Sequence, residues 1–193
     1  MPFTIVRQDI TKMKTDAIVN AANTELKMGG GVCGAIFKRA GEYELQKACD
    51  DLSPIKAGEV VITPGFALPA RYIIHAAGPV YDASSPKESE KLLRAAYLNS
   101  LNLAKDYNCK NIAFPLISSG IYGYPKDEAL RVATAAIKDF LDSHDMDIYL
   151  TVFDKDAFMV SEKLLGEVAS YIDDNYIEKH KLSRRELLDI ERR

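Results

Sequence analysis

Asp16-Ala17-Ile18-Val19-Asn20-Ala21-Ala22-Asn23-Thr24-Glu25-Leu26-Lys27-Met28-Gly29-Gly30-Gly31-Val32-Cys33-Gly34 runs from a short apolar strand, through a polar loop, into three successive glycines and a helix start. A strand that feeds a helix through a glycine-rich loop is the building unit of parallel α/β sheets, and such sheets place ligands beyond the carboxyl ends of their strands. Glycine costs backbone entropy and adds no side chain. Three of them before a helix suit close approach of backbone N–H groups to a ligand, and the uncapped helix start favours phosphate. A tight turn without a ligand is the plainer alternative. The spacing predicts a loop over residues 20–32.

The same alternation extends along the chain. Phe3-Thr4-Ile5-Val6, Glu59-Val60-Val61-Ile62-Thr63, Tyr72-Ile73-Ile74-His75, Asn111-Ile112-Ala113-Phe114-Pro115 and Ile148-Tyr149-Leu150-Thr151-Val152-Phe153 read as further strands. Pro64-Gly65 marks a turn between the second and third of these. Helical spacing of apolar residues predicts helices over 34–49, 88–107, 127–141 and 157–172, with Pro86 and Pro125 near two of the starts. Short apolar strands between helices predict an α/β domain with helices on both faces of a largely parallel sheet.

A second glycine loop, Leu116-Ile117-Ser118-Ser119-Gly120-Ile121-Tyr122-Gly123-Tyr124-Pro125, also lies between a strand and a helix. It should share a sheet edge with the first, so that two amide-rich loops could grip a diphosphate from both sides. Its plainer reading is an ordinary connection whose Tyr122 and Tyr124 cover the core edge. Gly29-Gly30-Gly31-Val32-Cys33-Gly34 also satisfies G-x-G-x-x-G, but nine residues separate Val19 from Gly29. A dinucleotide fingerprint needs its strand to run straight into the first glycine, and the lysine and Ser/Thr of a P-loop are absent.

Composition narrows the class. The chain has 193 residues, 47% of them hydrophobic, enough to bury about 70% of its unfolded surface without disulfide or metal. A net charge of −3 gives no electrostatic footprint for nucleic acid. An anionic ligand must therefore be held by directed hydrogen bonds. Three cysteines, Cys33, Cys49 and Cys109, with no Cys-x-x-Cys pair, make paired disulfides or a catalytic zinc unexpected and suggest a reducing cytoplasm. Neither a signal peptide nor a membrane span is expected. No cofactor is implied.

In order along the chain, Gln8-Asp9-Ile10-Thr11, the strand and glycine loop quoted above, His75-Ala76-Ala77-Gly78-Pro79, Ile117-Ser118-Ser119-Gly120-Ile121-Tyr122-Gly123 and Val152-Phe153-Asp154 resemble the macrodomain family of ADP-ribose-binding modules. The resemblance spans about residues 3–172. It implies a three-layer α/β/α fold on a central mixed, largely parallel sheet and a macrodomain over 1–173; the charged tail beyond it reads as a helical extension over 174–193, solvated or docked on a partner. Ser183-Arg184-Arg185-Glu186, followed by Leu187, Leu188 and Ile190, resembles a capping box opening that last helix.

The resemblance also implies roles. Asp9 would accept from the adenine amino group beside the Ile10 amide; the alternative for Asp9 is a turn cap ahead of Thr11. Phe153 would pack on the adenine, with Asp154 beside it, unless Phe153 is a core residue at a strand end. Asn23 would hydrogen-bond the distal ribose, while Asn20 braces the loop. Gly30, Gly31, Val32, Ser118, Ser119, Gly120, Ile121 and Tyr122 would hold the diphosphate and distal ribose, chiefly through amides.

Many members that it resembles remove ADP-ribose from proteins, or acetate from O-acetyl-ADP-ribose. One catalytic branch carries aspartate directly after Gly-Gly-Val, where this chain has Cys33. A second route lets ligand phosphate and loop amides hold the attacking water. As a nucleophile Cys33 would need a histidine, and His75, in a strand, reads as a core residue; an inert buried Cys33 is the plainer reading. Three expectations follow: an ADP-ribosyl ester hydrolase using Asn23, a non-catalytic reader of ADP-ribose or ADP-ribosylated protein, and an RNA-associated regulatory protein, which the acidic composition disfavours.

Overall fold

The computed structural model describes residues 2–152 together with Met159 and Ser161. Phe153 and Asp154, the helix read over 157–172 apart from Met159 and Ser161, and the extension over 174–193 lie outside the described residues. Six strands form one sheet: β1 Phe3–Val6, β2 Ala17–Ala22, β3 Val60–Pro64, β4 Tyr72–Ala77, β5 Asn111–Pro115 and β6 Asp147–Thr151. Their order is β1-β6-β5-β2-β4-β3, and every pairing is parallel except that of β3 with β4. β4 and β3 form an antiparallel hairpin whose connection spans residues 65–71, longer than a tight Pro-Gly turn.

The apolar runs are continuous because both sheet faces are covered. Ala17, Val19, Ile74, Ile112 and Phe114 point into one core, completed by helices α3 Pro86–Asp106 and α4 Lys126–Leu141. Ile18, Ile73, Ala77 and Ala113 point into the other, completed by α1 Gly31–Ala40 and α2 Glu42–Asp50. The alternation of neighbours such as Ile18 and Val19 between the two cores is the two-residue period of a strand. The result is the three-layer α/β/α arrangement on a mixed, largely parallel sheet.

Two expectations need correction. The single helix over 34–49 is two helices. Gly41 takes φ +115, which a helix does not allow, and turns the chain so that both halves bury an apolar face. The glycine loop does not begin at Asn20: β2 continues to Ala22, and Asn20 is buried within it, opposite His75 of β4.

The strand pairings also create the site. β2 pairs with β5 only at Ala17↔Ile112 and Ile18↔Ala113, then the two strands part. The chain leaving β2 enters α1 on one face of the sheet, and the chain leaving β5 enters α4 on the other. Neighbouring parallel strands whose helices leave to opposite faces open a crevice between their carboxyl ends.

Candidate functional site

A cleft of about 800 Å³ fills that crevice. Its walls are the two glycine loops, and its floor includes Ala21, Ala22, Pro115 and Thr151 at the strand ends. Asp9, Ile10, Asn23, Gly30, Gly31, Val32, Cys33, Ser118, Ser119, Gly120, Ile121 and Tyr122 all line it. Among the described residues that line the cleft, only Asp9 and Lys126 carry a formal charge.

Backbone groups dominate the polar surface. α1 begins at Gly31 with Gly30 as a cap that offers no side chain. The first-turn amides of Gly31, Val32 and Cys33 therefore find no acceptor among the described residues; Gly34 N–H is the first to bond back, to Gly30 C=O at 3.3 Å. Across the cleft, the amides of Gly120, Ile121 and Tyr122 donate to no acceptor among the described residues, whereas Gly123 N–H is taken by Gly120 C=O. Gly30 is extended, and a Cβ added at Gly30 or Gly120 would meet nothing within 4 Å. Neither conformation nor internal packing asks for glycine there; open access to the two rows of amides does.

The second loop is fastened from below. Tyr97 of α3, fully buried, donates to Pro115 C=O at 3.1 Å and accepts from Ile117 N–H at 3.0 Å. Burial raises its phenol above the ordinary range, so it stays protonated as the donor to Pro115. Ser118 follows in the left-handed region at φ +65, with its buried Oγ without a partner among the described residues. Gly78 makes room for this turn, since a Cβ there would collide with Ser118 Oγ and stand 2.5 Å from Ile117 Cγ2. Ser119 turns its hydroxyl inward to Leu116 C=O at 2.7 Å. Ile121 is 94% exposed and Val32 36%, so an apolar side chain stands at the rim on each side.

In the lining of the cleft, Asp9 caps the 3-10 turn Ile10–Lys12. Its Oδ1 accepts from Thr11 N–H at 3.0 Å and Thr11 Oγ1 at 2.7 Å. The capping alternative is thus the use this carboxylate has within the protein, and it leaves Oδ2 as the oxygen able to accept from a ligand. Asn23, also in the lining, closes a turn: Nδ2 donates to Lys27 C=O at 2.9 Å, and Oδ1 accepts from Lys27 N–H at 3.0 Å. Each group keeps one further hydrogen-bonding position for a ligand.

Beneath the first loop lies a buried polar chain. Cys33 Sγ lies 3.7 Å from Asn20 Nδ2 and 3.7 Å from Lys27 C=O. Asn20 Nδ2 meets His75 Nδ1 at 3.0 Å, and His75 Nε2 meets Thr63 Oγ1 at 3.0 Å. Burial pushes His75 down to about 4, so the imidazole is neutral at pH 7. It stands edge-on to Phe37, inside the core. Cys49, also against His75, is pushed up to about 12, by burial first and then by Cys33 and Asp50. Cys33 is buried, and its sulfur has Asn20 Nδ2 and Lys27 C=O as neighbours rather than a histidine.

Gly78 and Tyr97 shape the site without having been singled out by the sequence. The glycine within His75-Ala76-Ala77-Gly78-Pro79 was a signal for close backbone approach, but its partner Ser118 is forty residues away. Tyr97 carried no signal apart from its place on the buried side of a helix.

The sequence profile of the Macro domain family matches residues 19–133. A macro domain-containing protein of Methanosarcina mazei is 45% identical over 166 residues, covering 85% of this chain and 88% of that one. The ADP-ribose glycohydrolase MACROD1 of Mus musculus is 39% identical over 166 residues, which are 84% of this chain and 51% of that longer protein. Among solved structures, the Oceanobacillus iheyensis macrodomain with ADP superposes with a TM-score of 0.78 at 41% identity, covering 82% of this chain and 87% of that chain. The Trypanosoma brucei macrodomain in complex with ADP-ribose gives 0.77 at 37% identity, covering 85% and 69%.

Proposed function

This chain belongs to the macro domain family, and from that premise we propose that its cleft binds ADP-ribose and hydrolyses ADP-ribosyl esters: O-acetyl-ADP-ribose, mono-ADP-ribosylated protein, or both. The observation that carries the reading is the pair of amide rows, Gly31 to Cys33 and Gly120 to Tyr122, without acceptors among the described residues, on the two loops that line a cleft where only two of the described lining residues are charged. Amides fixed in place grip a diphosphate without reorganisation and leave the two ends of the ligand to be read separately. Asp9 and the Ile10 turn stand at the adenine end. In this reading Asn23, the first glycine loop and Ser118 take the distal ribose. Two relatives support the reading: one is named an ADP-ribose glycohydrolase and another was solved with ADP-ribose.

In the hydrolytic step, water adds to the ester carbonyl, the acyl C–O bond breaks, and the ribose oxygen leaves with a proton to give ADP-ribose and a free acid. This chain contributes position: the amides hold the diphosphate, and Asn23 with Ser118 holds the ribose against the phosphate that orders the water. A non-catalytic reader is the second reading. It is favoured by Cys33, whose thiol bonds Lys27 C=O where a carboxylate could have acted as base.

Incubation with O-acetyl-ADP-ribose or a mono-ADP-ribosylated protein, with release followed by mass spectrometry, separates the two readings. Release above background is expected, and Asn23→Ala should reduce release more than ADP-ribose affinity measured by calorimetry. Saturable binding with no release leaves the reader, and no ADP-ribose binding at all defeats both.

A further inference from the structure

The first glycine loop is held by a side chain outside the cleft. Gln46, on α2, accepts at Oε1 from Met28 N–H at 3.0 Å and donates from Nε2 to Leu26 C=O at 3.0 Å. The same Nε2 donates to Asp50 Oδ1 at 2.9 Å, one helical turn further on, and that oxygen also accepts from Lys27 Nζ at 2.7 Å. Three consecutive loop residues, Leu26, Lys27 and Met28, are therefore tied to one face of α2. Leu26 has φ +54, a conformation costly to a branched side chain, and it persists only where its surroundings dictate it. The tie ends one residue before Gly29-Gly30-Gly31, whose continuation supplies the unpartnered first-turn amides of α1.

We propose that Gln46 is the positioning residue of the first loop, setting where the α1 amides meet the diphosphate, with Asp50 as its brace. The proposal rests on the reading of the cleft as an ADP-ribose site. A loop ordered before the ligand arrives loses less conformational freedom on binding, so releasing the tie weakens the grip on phosphate without any loss of direct contact. The adenine end is built from the 3-10 turn after β1, which the Gln46 hydrogen bonds do not reach, and it is left untouched.

The test uses the full chain. ADP-ribose affinity is measured by calorimetry and adenosine affinity by NMR titration, for the wild type, Gln46→Ala and Asp50→Ala. Gln46→Ala should weaken ADP-ribose about tenfold, a scale set by ordering a few side chains and their loop; Asp50→Ala should weaken it less. Adenosine affinity should stay unchanged, and amide exchange should accelerate at Met28 while β2 stays protected. Wild-type ADP-ribose affinity in Gln46→Ala overturns the proposal, as does a proportionate loss for both ligands, which would mark a merely structural role. A wild-type protein without ADP-ribose affinity overturns instead the reading of the cleft.

Discussion

Asn23, Asn20, Cys33 and His75 are polar side chains in or beneath the first glycine loop, and each has work to do inside the protein. Asn23 closes the turn to Lys27, while Asn20 links Cys33 to His75. The order of residues along the chain showed neither that Asn20 lies within β2 nor that Asn20 and His75 stand opposite each other on neighbouring strands, since strand register is a tertiary property. His75 has a measurable signature. Its folded value of about 4 lies below the ordinary 6.5, so between those values the unfolded chain binds more protons. The contribution of neutral His75 is complete above pH 6.5, declines as pH falls through that window, and levels off below about 4. Lowering a pKa by one pH unit corresponds to about 1.36 kcal/mol, so the whole contribution is on the order of 3 kcal/mol. Urea unfolding of the wild type and His75→Gln at pH 7.5 and 4.5 should show the wild type losing more stability than the variant on acidification. Equal losses would mean that folding leaves the proton affinity of His75 unchanged.

At the scale of elements, the two glycine loops are shaped by different partners. The first leans on α2 through Gln46, and the second on α3 through Tyr97 and on the segment after β4 through Gly78. Strand and helix existence was legible because apolar periodicity reports burial. The break at Gly41 was not, because Ile36, Phe37, Ala40, Leu45 and Cys49 keep near-helical spacing across it, and one glycine is a weak stop signal. The Gly78–Ser118 contact yields a reciprocal prediction. Gly78→Ala forces Ser118 and Ile117 aside, which should cost about 1–3 kcal/mol as overpacking does and weaken ADP-ribose through the displaced loop. Ser118→Gly removes the obstructing hydroxyl and suits φ +65, so the double variant should recover much of the stability. Urea midpoints of the single and double variants decide it. Strictly additive losses would show that the two sites do not touch in solution.

For the whole molecule, sheet order puts the ligand where it does. β2 and β5 are neighbours whose following helices leave to opposite faces, and that topology makes one crevice from two loops about ninety residues apart in the chain. The alternation of strands and helices made an α/β sheet legible, and the order of short motifs made the family legible. The family resemblance implied a mixed sheet, but that β3 is the antiparallel strand, and that β2 parts from β5 after Ile18, could only be seen in three dimensions. The charge balance then has a consequence for binding. The chain carries a net −3, so its overall field repels a diphosphate, and the attraction comes from amide dipoles fixed at short range across the cleft. Ions screen interactions beyond about 8–10 Å at physiological salt far more than contacts inside a cleft. ADP-ribose affinity should therefore change by less than about threefold between 50 and 500 mM salt, and its small change should include a gain in association rate as the repulsive field is screened. Stopped-flow association and calorimetry across that range measure both. A steep fall in affinity with salt would show that side-chain cations, with Lys126 the one lining the cleft among the described residues, hold the phosphates in place of the two rows of amides.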